Sequence, residues 1–318
     1  LECQYRNSRE ECKGEIVIML TMEDATKEFL SSTNMKESTF SQYSFICERY
    51  ILPYFKNTEI RQLSNGSINN FIQEKVNNGG LLGKPLSPKT INDMAGLLVQ
   101  IIMGHSQFEI DVDKPLYRSE EITIFTKDEY NKLKAYLSLG TDSRKLGIII
   151  ALLTGIRLGE LCALTWESID LDRGIIFINK TMQRIKSLGT KAKTKIIIDT
   201  PKSIASIRAI PIPVILLDLL RMFKSDDSFY VLTNTKKYIE PRVYQRHFKR
   251  FLEACSIQDY KFHTLRHTFA TNAITSGMDL KTLSMLLGHT DVSFTMKRYV
   301  HPNMEHRRTQ IEKLAVGF

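Results

Sequence analysis

Leu153-Thr154-Gly155-Ile156-Arg157-Leu158-Gly159-Glu160-Leu161 is the stretch on which the reading of this chain turns. A glycine closes one apolar run, a single arginine follows, and a second helix-like run begins at once. An arginine set among apolar residues needs an anionic partner. Glu160, three residues on, is the local candidate; an anionic ligand is the other. The apolar run upstream, Leu146 to Ile156, covers 11 residues and contains Gly147 and Thr154. A membrane-spanning helix needs about 20. The run therefore reads as a core helix, and no secretory signal opens the sequence.

The chain around it has 318 residues, 42% hydrophobic and 25% charged, with 44 Lys and Arg against 35 Asp and Glu. That composition is ordinary for a globular protein and excludes collagen-like, disulfide-scaffold and wholly disordered chains. The length predicts two domains. Five cysteines (Cys3, Cys12, Cys47, Cys162, Cys255), odd in number and without a C-x-x-C pair, predict free thiols in a reducing cytosol. The first residue is Leu, so the chain is expected to be a fragment of something longer.

The net charge of +9 is unevenly placed: residues 1–119 carry 13 basic and 15 acidic side chains, and residues 120–318 carry 31 and 20. An excess of this kind on the second part fits a polyanionic partner such as nucleic acid, or else an inert basic surface. Lys180 to Arg208 is the densest stretch, with eight basic residues against Asp199 alone. It reads as a long, exposed basic hairpin whose strands are Gly174 to Asn179 and Lys195 to Asp199, with a turn at Ser187-Leu188-Gly189-Thr190.

Residues 1–20 read as a linker entering a strand or first turn. Residues 21–108 hold four short amphipathic helices, a small all-helical domain. Thr21, three residues before Asp24, opens a helix through Leu30. Ser38 or Thr39 opens the next, which Pro53 ends. The third covers 67–77, and Ser87-Pro88 opens the fourth. Residues 109–121, acidic and holding Pro115, lack apolar periodicity and read as the interdomain linker. Residues 122–306 form a larger α+β domain, mostly helical with a small antiparallel sheet or hairpin. The fold class is mainly α. The tail, 307–318, carries Ile311, Leu314 and Phe318 at helical spacing.

Three further patterns carry candidate chemistry. His263 and Arg266, in Phe262-His263-Thr264-Leu265-Arg266-His267-Thr268-Phe269, share a helical face and can both donate to an oxyanion. His267 lies four residues after His263, so a two-His metal pair is conceivable, but no Cys pair and no H-E-x-x-H supports a metal. His289 follows Leu286-Leu287-Gly288 at a helix end, where a capping or core role is the plain reading. Tyr299 stands beside Lys297 and Arg298, and taken alone would be a packing residue.

In order, the chain offers Arg157, Lys202, His263-x-x-Arg266, His289 and Tyr299. The blocks T-G-I-R-L-G-E-L around Arg157, P-K-S-I-A-S-I-R-A-I-P around Lys202, H-T-L-R-H-T-F-A-T after Phe262, and L-G-H-T followed by Tyr299 resemble the tyrosine recombinase (phage-type integrase) family. Y-S-F-I-C-E-R-Y-I-L-P and L-S-P-K-T at 86–90 are similar to its helical core-binding domain. The long hairpin and linker-like start look most like integrases of conjugative transposons.

The resemblance implies a site-specific recombinase that inserts or excises a mobile element through a 3′-phosphotyrosine, with no metal, ATP or other cofactor. Tyr299 is then the nucleophile, and Arg157 and Arg266 clamp the phosphate. His263 accepts the tyrosine proton or holds the phosphate, and His289 donates to a non-bridging oxygen. Lys202 is the general acid, Glu160 orients Arg157, and His267 and His301 are structural. A type IB topoisomerase resembles this pattern but carries Lys where His263 stands. A nonenzymatic DNA-binding relative would have lost Tyr299 or an arginine. Implied partners are duplex DNA at attachment or transposon-end sites, a homotetramer built through the tail docking in trans, and an accessory excision factor. The expected location is the bacterial cytoplasm, at the nucleoid. Lys36, Arg49, Lys84, Lys89 and Thr90 on the helical domain, and Arg184, Lys186, Lys191, Lys193 and Lys195 on the hairpin, are the expected DNA contacts.

Overall fold

The computed structural model describes residues 11–12, 15–16, 20–32, 34–80, 83–106, 109–117, 122–187, 194–201, 203–299, 308 and 311–312. Lys191, Lys193, Lys202, His301 and most of the tail lie outside them; Ile311 of the tail is exposed. The described residues are mostly helical with small antiparallel sheets. Two compact units emerge: Leu1–Glu120 with Ile185–Lys195, and Glu121–Arg184 with Ile196–Phe318.

In the first unit, β1 (Glu11–Cys12) pairs antiparallel with β2 (Glu15–Ile16). Among the described residues five α-helices follow: α1 (Met22–Ser32), α2 (Glu37–Ile46), α3 (Leu52–Phe55), α4 (Asn65–Asn78) and α5 (Pro88–Met103). Their starts are chemical. Thr21 Oγ1 accepts from Asp24 N (3.2 Å), Ser64 and Ser67 cap α4 reciprocally, and Ser87 Oγ accepts from Thr90 N (3.2 Å) ahead of Pro88. Apolar residues at helical spacing, among them Ile51, Phe55, Ile68, Phe71, Ile72, Ile91, Met94 and Leu98, meet in one core. Pro53 does not end the second helix. It sits in the first turn of α3, after a wide i→i+5 turn at Cys47–Ile51. That widening removes the clash and missing bond that proline imposes on a regular helix.

Residues 109–117 are extended rather than free. Asp111 N donates to Asn65 Oδ1, and Asn69 Nδ2 donates to Asp111 O. Asp113 N donates to Asn69 Oδ1, and Asn92 Nδ2 to Pro115 O. Ile110 and Val112 pack on the helical core. Three asparagines on α4 and α5 thus satisfy backbone groups of a segment with no ladder of its own.

The second unit opens on α6 (Lys127–Ser138), α7 (Ser143–Thr154) and α8 (Leu158–Ala163). A three-stranded antiparallel sheet follows in the order β3 (Ile169–Asp170), β4 (Ile175–Ile178), β7 (Arg208–Pro211). The basic hairpin is β5 (Thr181–Lys186) with β6 (Thr194–Asp199). The strand read from Gly174 to Asn179 therefore belongs to the sheet, not to the hairpin. Ile176 and Ile178 are buried on its inner face, and that burial fixes the register, Ile176 opposite Ile210 and Ile178 opposite Arg208. Helices α9 (Val214–Phe223), α10 (Pro241–Ala254), α11 (His263–Thr275), α12 (Leu280–Leu287) and α13 (Val292–Tyr299) complete the unit. Trp166, Tyr244, Phe248, Phe262 and Leu265 anchor its core, and the Trp166 indole donates to Asn234 Oδ1 (2.8 Å). Among the described residues no helix is long and apolar enough to cross a membrane.

Candidate active site

Two helix ends build the site. Helix α7 stops at Gly155, whose φ of +64° only glycine adopts cheaply, and α12 stops the same way at Gly288, φ +65°. A Cβ on Gly155 would lie 2.5 Å from Phe269 Cδ1, so the left-handed cap and the close packing both call for glycine. The carbonyls left over at these ends hold guanidiniums. Arg266 donates through Nη1 to Gly155 O (2.8 Å) and through Nη2 to Leu287 O (2.6 Å), and Arg157 Nη2 donates to Gly288 O (3.1 Å). Helix C-termini are electronegative, so each cap stabilises the cation it touches. Burial, then the charges of Arg157 and Arg208, bring Arg266 down to about 9, so it stays cationic at neutral pH.

Glu160 ties the arginines together. Its carboxylate accepts from Arg157 Nη1 (2.8 Å) and Arg157 N (3.0 Å), and from both Nη atoms of Arg208 (3.1 and 2.9 Å). Burial works to raise its pKa, but the hydrogen bonds and charges of Arg208 and Arg157 more than offset this and hold it below the carboxylate range. Arg208 Nε also donates to Leu286 O (2.6 Å). The cluster of Arg157, Arg208, Arg266 and Glu160 thus carries three guanidiniums against one carboxylate.

The remaining groups come from α11, α13 and the loop between α12 and α13. His289 Nε2 accepts from Arg266 Nη2 (3.0 Å), so Nδ1 carries the proton and donates to Thr295 Oγ1 (2.8 Å). Tyr299 is 9% exposed, and its hydroxyl lies 2.8 Å from His267 Nδ1. The rings of His263 and His267 meet edge to face, with centroids 4.5 Å apart. Burial, followed by neighbouring positive groups, lowers His263 to about 3 and His267 and His289 to about 4, so all three are neutral at pH 7. Burial raises Tyr299 above the usual phenol value, with Arg266 and Arg298 acting in the opposite direction. Arg157, His263, Arg266, His267, His289, Arg298 and Tyr299 line one cavity of about 540 Å³. Among the described residues no group of three or more His, Cys, Asp or Glu is gathered to hold a metal ion.

Five of the six residues expected to carry the chemistry thus meet in one cavity; the sixth, Lys202, lies outside the described residues. Sequence reasoning missed two. His267, read as structural, touches the tyrosine hydroxyl. Arg208 shares Glu160 with Arg157 across 48 residues, and the basic residue embedded in I-R-A-I was its only signal.

The expected DNA contacts are dispersed. Arg49, Lys84 and Lys89 are exposed, whereas Thr90 is spent on the α5 cap, its hydroxyl 2.8 Å from Ser87 Oγ. Burial, then Arg49, pull Lys186 below the ordinary lysine value; its carbonyl accepts from Ser41 Oγ (3.0 Å). Lys195 pairs with Glu37, and Arg184 with Glu240. Sequence reasoning also passed over α10: Arg242, Arg246 and Arg250 recur every four residues on the exposed face, opposite buried Tyr244, Phe248 and Leu252.

The phage integrase family matches residues 123–306, and the phage integrase N-terminal SAM-like domain matches 21–76. A "Tyrosine recombinase XerC-like" protein of Caldanaerobacter subterraneus subsp. tengcongensis is 26% identical over 278 residues, 81% of this chain and 66% of that protein. The ICEBs1 integrase of Bacillus subtilis is 24% identical over 303 residues, 88% of this chain and 78% of its own length. The chain thus spans roughly two thirds to three quarters of these relatives. In fold, it is similar to the integrase of transposon Tn1549 solved with transposon right-end DNA, with a TM-score of 0.69, 20% identity, and coverage of 93% of this chain and 100% of that one. With its larger match alone taking in more than half of the sequence, the chain belongs to the phage integrase family and is a tyrosine recombinase.

Proposed function

We propose that this recombinase inserts or excises a mobile element by cutting and rejoining duplex DNA at attachment or transposon-end sites, with Tyr299 as nucleophile. The observation that carries the reading is the convergence of the Tyr299 hydroxyl and two helix-capping arginines on one cavity. The tyrosine oxygen bonds to phosphorus, the P–O5′ bond breaks, and a 3′-phosphotyrosyl ester remains. Its energy is close to that of the broken ester, so rejoining needs no ATP. The pentacoordinate transition state carries two negative charges. Arg157 and Arg266 face it, oriented by Glu160 and by helix-end carbonyls. His263 stands at the phosphate, and Lys202 protonates the leaving 5′-oxygen. His289 is an acceptor at rest, so donation to a phosphate oxygen requires the anion to raise its basicity first.

DNA is held by Lys36, Arg49, Lys84, Lys89 and the hairpin cations, and we add the α10 arginines to that set. The working assembly is a homotetramer on two DNA sites, with the tail docking on a neighbour, an accessory factor for excision, and a place at the bacterial nucleoid. A nicked duplex spanning an element–flank junction tests the core of this reading, because loss of the short 5′ fragment traps the covalent adduct. Wild-type protein should form an SDS-stable adduct in EDTA, and Tyr299→Phe none. An adduct surviving in Tyr299→Phe, or no wild-type adduct, overturns it.

A further inference from the structure

The hydroxyl that is read as nucleophile rests on a histidine outside the family's matched positions. Tyr299 is almost fully buried, and its Oη lies 2.8 Å from His267 Nδ1. Three of the site's side chains, His263, Arg266 and His267, fall on one face of α11, and Tyr299 and Arg298 come from α13. The other histidines are placed for different work. Both nitrogens of His289 are engaged, Nε2 by Arg266 and Nδ1 by Thr295. His263 meets the His267 ring edge to face.

We propose that His267 is a catalytic residue that holds the Tyr299 hydroxyl through Nδ1 and takes its proton as the oxygen attacks. The inference rests on the reading of Tyr299 as nucleophile. In the step, the Tyr299 O–H bond breaks and its proton passes to Nδ1. The O–P bond forms and the P–O5′ bond breaks, the 5′-oxygen being protonated separately. Rejoining runs in reverse, and imidazolium returns the proton to the phenolate. The groups facing His267 are His263 and Arg266 from α11 and Arg298 and Tyr299 from α13. Burial and the two arginines keep it neutral at rest, with the lone pair a base needs. Negative charge growing on the phosphate between the arginines then favours the imidazolium, so basicity rises as the proton moves.

The test measures single-turnover adduct formation on the same nicked duplex at saturating protein. His267→Asn places an amide near the position of Nδ1 but cannot accept a proton. Cleavage should slow by about 100-fold with DNA binding unchanged. A ring-fluorinated tyrosine at 299, whose phenol ionises more readily, should restore about tenfold or more of that loss in the Asn variant. A rate close to wild type overturns the proposal, and so does a slow rate that fluorination leaves unchanged. If thermal melts show that His267→Asn is unfolded, His267→Gln takes its place under the same criteria. Tyr299→Phe separates the two readings: an adduct surviving there sinks the nucleophile, whereas an unaffected Asn variant with a Tyr299-dependent adduct sinks only the histidine.

Discussion

Glu160 is the residue on which the buried charge balance rests. It is 3% exposed and carries Arg157 and Arg208, the latter with a side chain 5% exposed. Breaking a buried pair by removing one partner costs about 3–5 kcal/mol, because the other charge is left without compensation. Glu160→Ala should therefore destabilise the protein by that order in urea unfolding, and a loss below about 1 kcal/mol would contradict the bonding described here. Half of this arrangement was legible. Arg157 and Glu160 are three residues apart, and any helical reading pairs them. Arg208 comes from a strand whose register is fixed by the burial of Ile176 and Ile210, and no local pattern carries that information. His267 escaped for a different reason. It falls outside the positions that the resemblance matches, and no local pattern says what a neighbouring helix brings against its side chain.

At the scale of elements, the helix stops matter more than the helices. Gly155 and Gly174 both have left-handed backbones, at φ +64° and +65°, but their surroundings differ. A Cβ at Gly155 meets Phe269 at 2.5 Å and Leu287 at 3.0 Å, whereas at Gly174 the nearest atom is 3.9 Å away. Gly174→Ala should cost about 1 kcal/mol, the backbone term alone. Gly155→Ala adds an overpacking cost of about 1–3 kcal/mol and shifts the carbonyl that holds Arg266. Urea midpoints should rank the two variants in that order, and only Gly155→Ala should also lower adduct formation; equal midpoints would refute the packing argument. Two helix starts were legible because Thr21 and Ser87 cap them through their own side chains, whereas α2 begins at Glu37, ahead of Ser38 and Thr39, with no side-chain cap to mark it. Strand partners were not. Thr181 to Lys186 shows no alternation in its polarity, so the sequence points to its apolar neighbour as the hairpin's first strand, and that neighbour belongs to the core sheet.

At the scale of the whole molecule, the three cavity histidines make stability depend on pH. Each titrates near 6.5 when unfolded, and burial together with the arginines lowers it to about 3 or 4 in the fold. The unfolded chain therefore binds protons that the native one refuses. Stability should be full above about pH 6.5 and fall as the pH drops from there toward 4. Melting temperatures across that range should show the decline, and replacing His263 by Asn should make it shallower; a flat profile would mean that the histidines are not held neutral. Arg266 gives the same cavity a second property. Both of its Nη atoms are bound to helix-end carbonyls in the protein alone. Its guanidinium is thus oriented during folding, and little rotamer entropy remains to be lost when a phosphate arrives. Preorganisation of this kind suits the cavity to tetrahedral anions in general, so the discrimination between one DNA site and another has to be exercised elsewhere on the molecule.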